Sequence, residues 1–358
     1  MLTGNKGEWS EIYTLLKIIA DKQLFAGDSN LNRIESLVFP IIKVIRDLSN
    51  NIGEFTYEND IVIVKSNNQE IRISISKFNN EAKLLLKKLK EKTNSTFPIP
   101  EIETFLNLFN CSSLKAKSSI KSDIRIVIHD QRTGTNSELG FSIKSKLGGA
   151  STLLNAGGTT NFIYKVSGTN FTKAEIEEIN SIKSKSKIKD RIEKIIKHNG
   201  ELQFSNLESD VFNNNLIIID SSMPIILSEI LKLYFTSNYS HIPDLVSEIS
   251  KSNPLSYNQK DNHPFYSYKT KRLLTDIALG MMPSKVWIGE LDATGGYLVV
   301  KEDGEILCYH IYNRNEFEDY LYHNTKLDTA SSSRHNFGTI YQVNEETYFK
   351  LNLQIRFL

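Results

Sequence analysis

Cysteine is scarce in this sequence. Its 358 residues include two, Cys111 and Cys308, far apart in the chain. That excludes a disulfide framework, and with only seven scattered histidines there is no Cys/His spacing for a structural zinc. An excess of one charge is missing as well: 43 Lys and Arg stand against 42 Asp and Glu, for a formal net charge of +1. A strongly basic coat protein and an acidic-tail protein are thereby excluded. A basic groove balanced by acids elsewhere is not. No apolar run approaches the ~20 residues of a membrane helix, and the polar start Met1–Tyr13 has no signal-peptide core. The expectation is a cytoplasmic protein with no membrane partner.

Several chemical motifs are also lacking. There is no G-x-x-x-x-G-K-[ST], no G-x-G-x-x-G after a strand, no G-x-S-x-G and no H-E-x-x-H. Gly157-Gly158 has neither the lysine nor the spacing of a phosphate loop. Nucleotide hydrolysis and serine-hydrolase chemistry therefore have no support.

What is present reads as an ordinary globular chain, 40% hydrophobic and 24% charged, long enough for two domains. Trp9, Ile12, Leu15, Leu16 and Ile19 recur at helical spacing and predict a first helix over Glu8–Ile19. Leu31–Leu48 reads as a second helix with Asn30 as cap and a kink at Pro40. Asp60–Lys65 and Glu70–Ser76 predict a hairpin, and Asn80–Lys92 a Lys-rich helix. Asn161–Val166 is a strand, and Thr172–His198 a charged helix. Lys269–Met282 and Phe317–His323 are helical. Tyr297–Lys301 and Glu305–Tyr312 form a hairpin, and Phe349–Phe357 alternates as one half-buried strand. The expected division is residues 1–252 as a core and 253–358 as a β-rich C-terminal region, cut near Asn253–His263.

The chemically informative segment is a hairpin of Asp123–Asp130 and Leu139–Lys146. If its turn centres near Asn136, Asp130 lies across from Ser142 and Lys144, with Glu138 on their face nearer the turn. A carboxylate facing a lysine on the neighbouring strand suits metal-dependent phosphodiester hydrolysis. The acid holds Mg²⁺, and the lysine orients or deprotonates the water. Glu8 and Glu11 open the first helix on one side and could lend a further carboxylate.

Three blocks carry a resemblance. Thr3–Tyr13 (TGNKGEWSEIY), Gly140–Phe162 (GFSIKSKLGGASTLLNAGGTTNF) and Gly295–His335, opening GGYLVVKEDGEILCYHIYNRNEFEDY, are similar to the HpaII-type restriction endonuclease family, from the first residues to the last strand. The resemblance implies an α/β (α+β) fold of the PD-(D/E)XK kind, a mixed sheet flanked by helices. It also implies a β-rich C-terminal DNA-reading region, Mg²⁺-dependent cleavage of double-stranded DNA, and a CCGG-type palindrome. Carried onto this chain, the first acid falls on Asp130, preceded by His129 instead of proline, and the lysine on Lys144. The second acidic position is Ser142, a poor Mg²⁺ ligand. The missing carboxylate is therefore expected from Glu11 or Glu8, with Glu138 as the fallback. Asp123 is also possible, though it lies at the wrong end of its strand to face Lys144. The expected metal ligands are Asp130, Glu11 and Glu8.

DNA reading is expected from Asn324–Gly338. Arg334 can take guanine O6 and N7 bidentately, Lys326 less specifically, and Ser332, Ser333, His335 and Asn336 add donors. Asn155 and Asn161, in the loop after the active strand, are further DNA candidates, and Lys269–Arg272 offers backbone contacts. The Lys183–Lys197 run reads as a solvated helix face, and His310, Trp9 and Trp287 as core. A palindromic target favours a homodimer. Two rivals follow from the departures: a non-catalytic DNA-binding protein with a degenerate nuclease core, favoured by Ser142, and a nuclease using His129 or His335 as base.

Overall fold

The computed structural model describes residues 1–49, 51–67, 69–115, 122–130 and 134–358. The chain forms two compact units, Met1–Ser151 with Leu291–Tyr320, and Thr152–Glu290 with Leu321–Leu358. The cut expected near Asn253–His263 lies inside the second unit. The chain changes unit at 151, 290 and 320 instead, because Gly296–Val300 and Ile306–His310 return to the first sheet.

The first unit is built on a nine-stranded mixed sheet. Its order is Gln23–Gly27, Ile306–His310, Gly296–Val300, Thr135–Ser145, Ile124–Asp130, Arg33–Asp47, Ile52–Glu58, Ile61–Ser66 and Gln69–Ser74. Gly296–Val300 runs parallel to Thr135–Ser145, and its hairpin partner Ile306–His310 runs parallel to Gln23–Gly27. Helix Lys6–Asp21 opens on a capping box, in which the Asn5 side chain accepts from Glu8 N and Glu8 accepts from Asn5 N. Such a cap stabilises the helix by about 1 kcal/mol. Its apolar stripe of Trp9, Ile12, Leu15, Leu16 and Ile19 is fully buried, and Trp9 Nε1 donates to Phe97 O at 3.0 Å. Behind it, helices Ile75–Glu91 and Pro100–Asn107 add Phe78 and Phe105, whose rings meet edge to face at 5.2 Å.

Arg33–Asp47 is a strand, not the expected helix. Val38, Ile41, Ile42, Val44 and Ile45 are β-branched, which favours the pleat over the helix. Residues 33–40 pair with Gln23–Gly27 and residues 41–45 with Ile124–Asp130. Pro40, which has no N–H to give a ladder, sits at that change of partner.

The second unit holds a four-stranded antiparallel sheet in the order Glu201–Leu207, Asn161–Ser167, Glu346–Asn352, Ile340–Val343. A three-stranded sheet joins Thr152–Leu154, Ile355–Phe357 and Thr325–Leu327. The single strand expected over Phe349–Phe357 thus divides at the buried Leu353 and feeds two sheets. The helix expected over Thr172–His198 likewise divides into Lys173–Ser181 and Lys187–Lys197. Helices Asp210–Ile219, Met223–Thr236, Ile242–Ser252 and Phe265–Leu279 complete the unit. Among the described residues no helix is long and apolar enough to cross a membrane.

Candidate active site and DNA-reading residues

The hairpin register decides which acid meets Lys144. Asp130 pairs with Thr135, Val127 with Glu138 and Ile124 with Phe141. The turn therefore lies between Asp130 and Thr135, where Gly134 takes a left-handed φ of 68° and donates its N–H to Asp130 O at 2.8 Å. Asn136 lies in a strand, not in the turn. The expected pairing of Asp130 with Ser142 is thereby corrected: Asp130 faces a residue nine positions before Lys144, roughly 30 Å along the strand. Glu138 is displaced in the same sense, roughly 20 Å from Lys144, and is exposed in an ion pair with Arg125 at 2.5 Å.

Asp123 takes the place expected of Asp130. Its N–H donates to Phe141 O at 2.8 Å. Its Oδ2 accepts from Ile143 N at 2.7 Å and from Ser142 Oγ at 3.3 Å. Ser142 therefore acts on the acid, holding its orientation from the position where a second carboxylate was expected. The close approach needs Gly140, since a Cβ there would stand 2.8 Å from the Cβ of Ser122. Lys144, two residues beyond Ser142 on the same face, is half-buried with its Nζ 4.9 Å from the ring centroid of the buried Tyr297. Burial pulls the Lys144 ammonium below the ordinary lysine pKa, and the opposing attraction of Asp123 and Glu11 only partly offsets it.

Two carboxylates thus act on one lysine. The first helix brings Glu11 there, and Ser10 Oγ meets Ser145 Oγ at 2.8 Å where that helix meets strand Thr135–Ser145. Arg46 fixes Glu11 from behind. Its fully buried guanidinium donates to Glu11 O at 3.3 Å, Glu11 Oε2 at 3.4 Å and Leu114 O at 2.5 Å. Glu8, the other expected donor, turns away. It is held by the capping box and by an ion pair with Lys115 at 2.5 Å. Burial raises its pKa, but those bonds outweigh it and hold the carboxyl below its ordinary value.

The oxygens of Asp123, Glu11 and Ser142 form a hard donor set without thiol or imidazole, which suits Mg²⁺ over a softer ion. Asp123 retains lone pairs for a cation beyond its two bonds at Oδ2. Among the described residues no three His, Cys, Asp or Glu side chains gather as a metal-holding group. A cation here would complete its shell with water and a phosphate oxygen, as Mg²⁺ commonly does.

The family model for the HpaII restriction endonuclease matches residues 5–357. The chain is also 51% identical over 359 aligned positions, 99% of each chain, to the type II restriction enzyme HpaII of Haemophilus parainfluenzae. The chain belongs to the HpaII restriction endonuclease family. No solved structure matches it.

In this member of the HpaII family the residues expected to read DNA lie in the second unit. Ser332–His335 is a short helix capped by Asn336 in the left-handed region. Ser333, Arg334 and Asn336 are exposed, Ser332 and His335 half-buried. Arg334 forms no ion pair among the described residues, which leaves its fork of donors available. Lys326 is half-buried in the three-stranded sheet, paired with Arg356. Asn155 is exposed just after Thr152–Leu154.

Asn161 is corrected as a DNA contact. It is buried, its Nδ2 donating to Glu208 Oε2 at 2.6 Å and His335 O at 3.0 Å, while its Oδ1 accepts from Asn352 at 2.7 Å. Its bond to His335 O ties it to the short helix Ser332–His335. The Lys269–Arg272 cations are also spent: Lys269 pairs with Asp220, Arg272 with Asp276 at 3.2 Å, and Lys271 lies over the Tyr322 ring.

Sequence reasoning ranked Asp123 behind Asp130 and the helix glutamates, and it missed Arg46. Gly134, in the connection between the two strands, was the available signal for Asp123. Once the strands close at Asp130 and Thr135, Asp123, seven residues before the one, lies opposite Ser142, seven after the other. No sequence signal singled out Arg46, because Lys43 is a second cation three residues earlier in the same strand and only packing decides which of the two is buried.

Proposed function

We propose that this chain is a type II site-specific deoxyribonuclease that hydrolyses phosphodiester bonds in duplex DNA with Mg²⁺ in a PD-(D/E)XK-like site. The observation that carries the reading is Asp123, held across the hairpin from Ser142, with Lys144 two residues on and Glu11 acting on the same lysine. Asp123 and Glu11 would hold the metal. A bound Mg²⁺ supplies positive charge against the scissile phosphate and makes water more acidic. Lys144, with its lowered proton affinity, orients the attacking water and takes its proton. Ser142 and the Ile143 N–H keep Asp123 in place, and Arg46 does so for Glu11. Arg334 reads guanine in the major groove of a CCGG-type palindrome, and two copies of the chain act on the two strands in the cytoplasm.

The test is incubation with plasmid DNA, with Mg²⁺ and with a chelator. Discrete fragments whose ends map to CCGG, formed only with metal, are expected. A mobility shift without cutting under every divalent metal would instead favour the non-catalytic rival that Ser142 suggests.

Glu11→Gln should keep the helix in place but raise the Mg²⁺ concentration needed for half-maximal cutting. Its metal titration should shift while Glu8→Gln titrates like the parent. Glu11→Ala is less informative, because it also removes the side-chain oxygen that accepts from buried Arg46, which Gln keeps. Arg334→Ala should lower discrimination between the target and near-target duplexes by about 1–3 kcal/mol. Equal weakening on target and random DNA would assign Arg334 to the phosphates.

A further inference from the structure

One basic feature of the second unit is unused by this reading. The lysine run expected to be a solvated helix face bends at Ser184–Ser186, and there it borders a groove of about 630 Å³. Lys185, Lys187 and Lys189 line it together with Ser331, Ser332 and Ser333. No Asp or Glu is among the lining residues. The neighbouring acids are engaged elsewhere, Asp190 with Ser184 and Asp328 with Arg356. Lys189 is anchored, donating to Ser237 O and lying over the Tyr234 ring. Lys185 is exposed and Lys187 half-buried, and neither forms an ion pair among the described residues.

The serine run leads directly into the short helix that carries Arg334, and two backbone bonds fix that connection. His335 N donates to Ser331 O at 3.2 Å, and Phe337 N to Ser332 O at 3.2 Å. A groove lined by lysines and hydroxyls and by no carboxylate suits an anion that accepts several hydrogen bonds. Contacts to phosphate set the register of a protein on a duplex, whereas base contacts specify sequence. A phosphate seat adjoining Arg334 would fix the depth and direction in which that guanidinium meets the base edges.

We infer that this groove seats backbone phosphates of the bound duplex, with Lys185 and Lys187 as the cationic contacts and Ser331–Ser333 as hydroxyl donors. The inference rests on the proposed DNA reading and deepens it. The experiment is equilibrium binding of fluorescent duplexes, one carrying CCGG and one scrambled, with Ca²⁺ in place of Mg²⁺, between about 50 and 200 mM salt. The Lys185→Ala/Lys187→Ala variant should lose about tenfold affinity per lysine near 0.1 M salt, equally on both duplexes. The slope of log affinity against log salt should become shallower by about one per lysine. The Lys185→Arg/Lys187→Arg variant should keep the parent's slope.

Unchanged affinity and slope in the alanine variant would overturn the inference. So would a loss confined to the CCGG duplex with the slope intact, since that marks a base reader. If the parent protein binds neither duplex, the DNA reading itself fails, and that result is distinct from an effect of the lysines.

Discussion

Lys144→Ala should lower the rate of DNA cleavage at saturating duplex by about a thousandfold or more, while target DNA still binds. Proton transfer by a positioned group contributes about 10²–10⁴-fold, and this lysine stands on the same strand face as Ser142, which holds Asp123. Binding should survive because one lost cation near the phosphates weakens association only modestly. Lys144→Arg separates two roles for the amine. Arginine keeps the positive charge but does not give up its proton near neutral pH. An arginine variant as inactive as alanine assigns Lys144 to proton transfer. Recovery of most of the rate by arginine would leave it only a charge. Single-turnover cleavage with gel or capillary readout makes both comparisons.

The second large effect belongs to Asp123. Asp123→Asn removes one of two carboxylates acting on Lys144 and should abolish cutting to a similar degree. Asp130→Asn should cut like the parent, because Asp130 closes the hairpin at its far end, opposite Thr135. The amide of asparagine can still accept from Ile143 N and Ser142 Oγ through its oxygen, so Asp123→Asn should keep its fold and its thermal midpoint. A variant that melts early would be read instead through its DNA affinity and metal titration. Loss of cutting in Asp130→Asn with full activity in Asp123→Asn would reverse the assignment.

Much of the fold was legible because its signals are local. The 3–4 spacing of Trp9, Ile12, Leu16 and Ile19 marked the first helix, and alternation of Ile71 and Ile73 marked a strand, which ends at Ser74 where Ile75 opens a helix instead of continuing it. Arg33–Asp47 was misread because its apolar residues recur at spacings compatible with either period. Strand pairing on both sides decides that segment. Helices Asp210–Ile219 and Met223–Thr236 are apolar on several faces, so no clean 3.6-residue stripe announces them. The lysine, serine and first-helix glutamate of the candidate site were named from the sequence. The acid was ranked behind Asp130, because a hairpin's register depends on its turn, and moving the turn from Asn136 to the Asp130–Thr135 connection exchanges one aspartate for another.

Arg46 lay outside sequence reach for a related reason. Its partners are Glu11 and Leu114, far from it in the chain, so only tertiary packing brings them together. The buried guanidinium of Arg46 binds Glu11, whereas Glu8, about as buried, is shared between the helix cap and Lys115. That difference explains why one of two glutamates a turn apart bears on Lys144 and the other does not.

The central claim is the location of the metal site, and a crystal of the enzyme on a CCGG duplex soaked with Mn²⁺ tests it most directly. The anomalous signal of the ion should fall within bonding reach of a carboxylate oxygen of Asp123, with Glu11 bound to it directly or through one water, beside the scissile phosphate. A peak on Asp130 at the hairpin turn, with Asp123 free of metal, would contradict it.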